Sequence, residues 1–174
     1  SDDRILWERI CSYNIDNADS SFKFSKRLAR ENLWTKEYTE RVIEEYKRFM
    51  FLGCIDGPVT PSLDVDQCWH LHMIYTEEYW NVFCKDVLRK NFHHGPTKGG
   101  KEEDDKYIDI YQHTKESYRN HFSEPPHDIW PLSAVRFRPV NYVYIDLNDH
   151  WVIPVGDIKA LLKLLIKQIK SKIL

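Results

Sequence analysis

Apolar residues recur at helical spacing along most of the first two-thirds of the chain. Ile5, Leu6, Ile10 and Tyr13 mark one face of residues 2–14, and Phe24, Leu28 and Leu33 mark one face of residues 22–34. Thr35 suits an N-cap for residues 36–52, whose stripe is Tyr38, Val42, Tyr46, Phe49 and Leu52. Gly53 is a natural stop, followed by a turn at Gly57-Pro58. Thr60-Pro61 then pairs a hydroxyl cap with proline at a first helical position. No breaker follows until about Asn91, so residues 61–88 are expected to form one long helix.

The HHGPTKGG loop ends that helix, and Lys101 to Phe122 predicts another, striped by Tyr107, Ile110, Tyr111, Tyr118 and Phe122. Residues 123–139 are punctuated by proline and are expected to run extended. The period then changes. Val140 to Ile145 and Trp151 to Val155, separated by DLNDH, predict a β-hairpin, and Gly156-Asp157 opens a last helix over 156–174. The fold class is therefore mainly α: one compact domain over residues 1–174, with about five to six helices and a small β-hairpin near the C-terminus.

Composition narrows this only in places. At 174 residues the chain can bury a core without staples, and 42% hydrophobic against 30% charged residues is ordinary for a globular protein. Six Trp, ten Tyr and eight Phe predict a core built from large rings. Four irregularly spaced cysteines without a CxxC pair argue against a disulfide framework or zinc ribbon, and for a reducing, cytoplasmic setting. No signal peptide or apolar run of about 20 residues is visible.

The chemistry gathers in VTPSLDVDQCWHLHMIYTEEYW and the loop beyond it, where four of the eight histidines lie: His70, His72, His93 and His94. Asp66 and His70 are one helical turn apart and share a face. They can ligate one ion, or Asp66 can orient the His70 imidazole. His72 is turned by about 200° from His70, lines up with Trp69, Thr76 and Trp80, and reads as a buried, hydrogen-bonded core histidine. His93 and His94 sit in a loop able to fold back and complete a site with His70 and Asp66. Three ligands plus water describe an open catalytic position, and four a closed structural one. The alternative is a polar network that merely locks helix to loop. HExxH is absent, because Glu77 and Glu78 have the wrong spacing.

Other motifs carry less. GPTKGG precedes a helix but lacks the Walker pattern, and Glu102, Glu103, Asp104 and Asp105 in the first turn would repel phosphate, so no nucleotide cofactor is expected. Cys68 and Cys84 have no basic neighbour in the sequence to activate them and read as packed small hydrophobes. In residues 156–174, Lys159, Lys163, Lys167 and Lys170 oppose Ile158, Leu161, Leu162, Leu165, Ile169 and Ile173. That segment carries +4, leaving −6 elsewhere out of −2 overall. Such a helix packs on its own domain or docks on a protein or an anionic membrane surface, which would make the chain membrane-peripheral.

VTPSLDVDQCWHLHMIYTEEYW, FHHGPTKGG and PPHDIWP together resemble the core of the glycine-rich-domain-containing-protein-like family of bacterial and plant proteins. RLARENLWTKEYTERVIEEYKRFMFL is similar to its N-terminal helical portion, so the resemblance spans roughly residues 22–155. Its signature falls here on Asp66, Trp69, His70, His72, Tyr79, His93, His94, Pro96, Trp130 and Pro131. The resemblance implies no substrate and no activity. Bacterial members often continue into membrane-spanning or glycine-rich segments, where this chain has its lysine-striped helix. Some plant members are associated with RNA, but this sequence has neither an RNP signature nor a basic face interleaved with aromatics, so nucleic acid is not an expected partner.

Two functional expectations result. In the first, His70, His93 or His94, and Asp66 hold a divalent metal, zinc or iron, with Trp69, His72, Tyr79 and Trp130 as structural or site-lining residues. The residue types do not separate hydrolytic from oxidative chemistry. In the second, the chain is a non-enzymatic interaction module whose histidines are structural and whose aromatic groove or C-terminal helix recruits a partner.

Overall fold

A computed structural model describes residues 2–16, 21–95, 99–139, 145–146, 148–152, 158–159 and 162–163. The chain divides into two units, Ser1–Arg138 and Pro139–Leu174. In the first, the helices are α1 (Asp2–Ser12), α2 (Phe24–Asn32), α3 (Lys36–Ile55), α4 (Leu63–Ile74), a π-helical segment (Glu78–Leu88), α5 (Lys101–His121) and the single turn α6 (Ser133–Arg136). The mainly α expectation holds. No described helix is long and apolar enough to cross a membrane.

Helix α3 is the hub, packing against α1, α2, α4 and α5. Thr35 caps it as expected, its hydroxyl accepting the Tyr38 N–H at 3.2 Å. Val42, Tyr46, Phe49, Met50 and Leu52 are buried along it. The helix runs through Gly53 to Ile55 rather than stopping there. A Cβ at position 53 would overlap the Phe92 ring, so glycine here serves close packing rather than termination. One carboxylate is also buried on α3. Glu45 accepts Trp130 Nε1–H at 2.8 Å and the Tyr118 hydroxyl at 3.1 Å, and pairs with Arg48, so its lost hydration is replaced by three donors.

The expected single helix over 61–88 is two helices. Pro61 lies outside, and Ser62 caps α4 by accepting the Val65 N–H at 3.3 Å. The backbone bends at Tyr75 (φ −82°, ψ 64°), and the π-helical segment follows. In a continuous α-helix residues 72 and 78 would be separated by roughly 240° and about 9 Å. The bend instead lets Glu78 reach His72, with Oε2 2.5 Å from Nε2. The carboxylate can only accept, so Nε2 carries the proton and Nδ1 accepts the Tyr46 hydroxyl at 2.7 Å. Tyr13, from the end of α1, adds its hydroxyl to Glu78 and lies 3.1 Å from His72 Nε2. His72 is thus the buried, hydrogen-bonded histidine its aromatic face predicted. Residues 123–139 are not extended throughout: besides α6 they turn at 127–129, where the Pro126 carbonyl accepts the Ile129 and Trp130 N–H groups at 3.1 and 2.7 Å and brings Trp130 into the core.

In the second unit the described residues form no strand. The hairpin flanks 140–144 and 153–155 lie outside the described residues, and Ile145, Trp151 and Val152 are unpaired with any strand. The intervening residues instead make an Asx turn: Asp146 Oδ1 accepts the Asn148 N–H at 2.9 Å, and its carbonyl accepts the Asp149 N–H at 3.2 Å. Most of the expected helix 156–174 lies outside the described residues; 158–159 and 162–163 are helical, with Ile158 and Leu162 exposed.

Removing the imidazole from the core network by His72→Leu strands the buried Tyr46 hydroxyl and leaves the Glu78 carboxylate with Tyr13 alone. Urea unfolding should register a loss of about 2–3 kcal/mol. Burial also pushes the hydroxyls of Tyr46, Tyr79, Tyr111 and Tyr118 up from their ordinary value, that of Tyr118 to about 12. Each binds its proton more tightly folded than unfolded, so its contribution is complete below pH about 10 and is lost as pH rises through the folded values. The buried thiols of Cys68 and Cys84, also pushed up by burial, behave in the same way from about pH 8.5, so thermal melts should begin to fall there and drop steeply above about pH 10, by up to about 1.4 kcal/mol per tyrosine per pH unit. A flat melting temperature through pH 11 would contradict this.

Candidate metal centre

Asp66 and His70 stand one turn apart on α4, and the helix determines how each presents itself. His70 Nδ1 lies 2.8 Å from the Asp66 carbonyl, which can only accept, so Nδ1 carries the proton and Nε2 keeps its lone pair. The Asp66 carboxylate is 3.6 Å from the same nitrogen. From the other side His94 places Nε2 2.8 Å from Asp66 Oδ1, and the two imidazole rings approach to 4.4 Å between centroids. One ligand atom from each of Asp66, His70 and His94 falls within 4.8 Å of the others. Around a tetrahedral ion such atoms sit about 3.3 Å apart, a contraction within the reach of side-chain rotation.

His94 comes from a loop without regular structure, yet its position is closely determined. Trp69 Nε1–H donates to the Tyr79 hydroxyl at 2.8 Å, and that hydroxyl donates to the Phe92 carbonyl at 2.6 Å. The Phe92 ring packs on Trp69 and Phe49 and over Gly53. Lys90 Nζ donates to the Gly53 carbonyl at 3.1 Å. The His94 ring then rests on Trp69 at 4.4 Å. Helix α4, the π-helical segment and α3 together fix the loop that carries the third donor.

The sequence left His93 and His94 as alternatives for this role. The structure joins His94 to Asp66 and His70, whereas the His93 ring packs on Trp80 at 5.0 Å. Of the four supporting residues, Trp69 and Tyr79 hold the loop, and His72 belongs to the buried network with Glu78. Trp130 is fully buried, stacked on Tyr111 and bonded to Glu45. Glu78 escaped notice because an unbroken helix would keep it from His72. Asp64, beside the cluster in sequence, accepts the Tyr38 hydroxyl at 2.6 Å, and burial pushes its carboxyl up from the ordinary carboxylate value.

The cluster is open to solvent on one side: the His70 side chain is 50% exposed, against 22% for His94 and 17% for Asp66. On the other side Asp66, Trp69 and His94 form part of the wall of a cavity of about 420 Å³, together with Tyr107, Arg136 and Phe137. Two imidazoles and one carboxylate can hold a divalent cation while leaving coordination positions vacant for water or a ligand. The cysteines offer nothing comparable. All four are free; Cys68 and Cys84 are buried, and burial pushes their thiols up, away from the reactive thiolate. Searches against protein-family models, curated proteins and solved structures find none that matches this chain, so the reading of this centre rests on its own geometry.

Proposed function

We propose that this chain is a divalent-metal-binding domain in which Asp66, His70 and His94 hold one ion, zinc or iron. The observation that carries the reading is the convergence of three donors from a helix and a distant loop to within 4.8 Å of one another. Support comes from the chemistry of the set. Two neutral imidazole nitrogens with one carboxylate oxygen suit zinc in an open site and ferrous iron in a facial triad, whereas calcium and magnesium favour oxygen throughout. Further support lies behind the donors. The carbonyl of Asp66 fixes the tautomer of His70, and Trp69 and Tyr79 fix the loop of His94, the kind of outer support that metal-binding histidines need.

A bound ion of this kind acts as a Lewis acid and lowers the pKa of water in its open position. The protein's own contribution is to hold the three donors on a braced frame and to place beside them a cavity with one aromatic, apolar wall. Assignment to the glycine-rich-domain-containing-protein-like family is part of this proposal and rests on the motif string that contains these donors.

Elemental analysis and calorimetric titration of chelator-free protein test it. The wild-type chain should bind close to one equivalent of zinc or ferrous iron. Asp66→Asn, His70→Ala and His94→Ala should each weaken binding by about 100-fold or more, whereas His93→Ala should leave it nearly unchanged. Tyr79→Phe, which touches no ion but releases Phe92, should weaken it by about tenfold. A wild-type chain that binds neither ion would make the cluster a hydrogen-bonded brace and favour the interaction-module reading.

A further inference from the structure

We propose that the cavity beside Asp66 and His94 binds a small carboxylic acid with an apolar, ring-sized body, its carboxylate completing the coordination of the ion. This rests on the metal reading above and adds to it a class of ligand.

Size and lining point the same way. A volume of about 420 Å³ lies toward the small end of the range that holds organic ligands. Pro61, Trp69, Tyr107 and Phe137 give it walls of ring and methylene surface, which favour an apolar body over a sugar or a peptide. Charge selects the head group. A divalent ion held by the Asp66 carboxylate and two neutral imidazoles keeps a net positive charge at its open positions, so an anion is drawn toward the donors. Arg136 is held at the wall, its Nε–H donating to the Pro61 carbonyl at 2.9 Å and its guanidinium 5.0 Å from the Phe137 ring centroid.

A further observation comes from Thr60, which lines the same cavity. Its Oγ1 is buried without a hydrogen-bond partner, the only such side-chain atom among the described residues. An unsatisfied buried hydroxyl costs about 1–3 kcal/mol, and a carboxylate oxygen is an acceptor able to relieve that cost. An acid lying between the ion and Thr60 would use the open coordination position, the idle hydroxyl and the apolar wall together.

The test uses the full chain and phenylacetate as the probe, after a separate calorimetric titration with zinc alone. Phenylacetate should bind the zinc-loaded protein at least about tenfold more tightly than the zinc-free protein, and phenethylamine, its cationic counterpart, should not bind. Two variants probe the cavity. Phe137→Ala removes an aromatic wall. Gly95→Trp places a large ring at the lining from a position whose Cβ would meet open space. Either should weaken phenylacetate binding by about tenfold while zinc affinity stays within about threefold. If zinc binds but phenylacetate does not, or binds equally with and without zinc, or ignores both variants, the carboxylic-acid inference falls and the metal reading stands. If zinc does not bind, the same titrations are run with ferrous iron, and if neither ion binds, both fall.

Discussion

The hydroxyl of Tyr79 joins three parts of the chain through a single oxygen. It accepts a proton from Trp69 on α4 and donates its own to the carbonyl of Phe92, in the loop that carries His94. Buried hydrogen bonds of this kind contribute only about 1 kcal/mol each in net terms, but leaving one end unmade costs more than making it gains. That asymmetry is what makes the arrangement specific. Trp69 cannot turn away without burying a bare N–H, and Phe92 cannot withdraw without leaving the buried Tyr79 hydroxyl short of its acceptor. The helix donors and the loop donor are therefore positioned by the same small set of obligations, and the geometry of the cluster depends on them.

The bend at Tyr75 makes this possible. It turns the segment after α4 so that Tyr79 faces Trp69 and Glu78 faces His72, two pairings that a straight helix forbids. A helix gives up regular i to i−4 hydrogen bonding only when something else repays it, and here the repayment is a network of buried His72 and Tyr46 with half-buried Tyr13 and Glu78. The core and the candidate centre are thus coupled. The same irregularity that completes one supplies the brace for the other.

Much of this was legible in the amino-acid order, and the rest was hidden for identifiable reasons. Helices α1, α2, α3 and α5 follow from their apolar periodicity, and the Thr35 cap from its hydroxyl. The Asp66–His70 pair follows from one turn of helical spacing, and the buried role of His72 from its aromatic neighbours. The bend left no trace, because residues 74–78 contain neither proline nor glycine and the pairings that favour it are tertiary. The preference for His94 over His93 was equally invisible, since adjacent residues in a loop differ only in what lies around them. Gly53 misled in an instructive way. Its missing side chain makes room for Phe92 instead of ending a helix, and a local pattern holds no information about a ring 39 positions away.

The three donors belong to two kinds of structure. Asp66 and His70 are spaced by the helix itself and cannot be separated without unwinding a turn of α4, whereas His94 is delivered by five residues that follow no regular path. The helix therefore behaves as a fixed two-toothed clip and the loop as an exchangeable jaw. A change at residue 94 alone can substitute a different donor, or none, while Phe92 keeps its packing on α3 and α4. In the proposed metal centre, affinity and choice of ion would then be set at the jaw, under a fold whose stability is decided elsewhere.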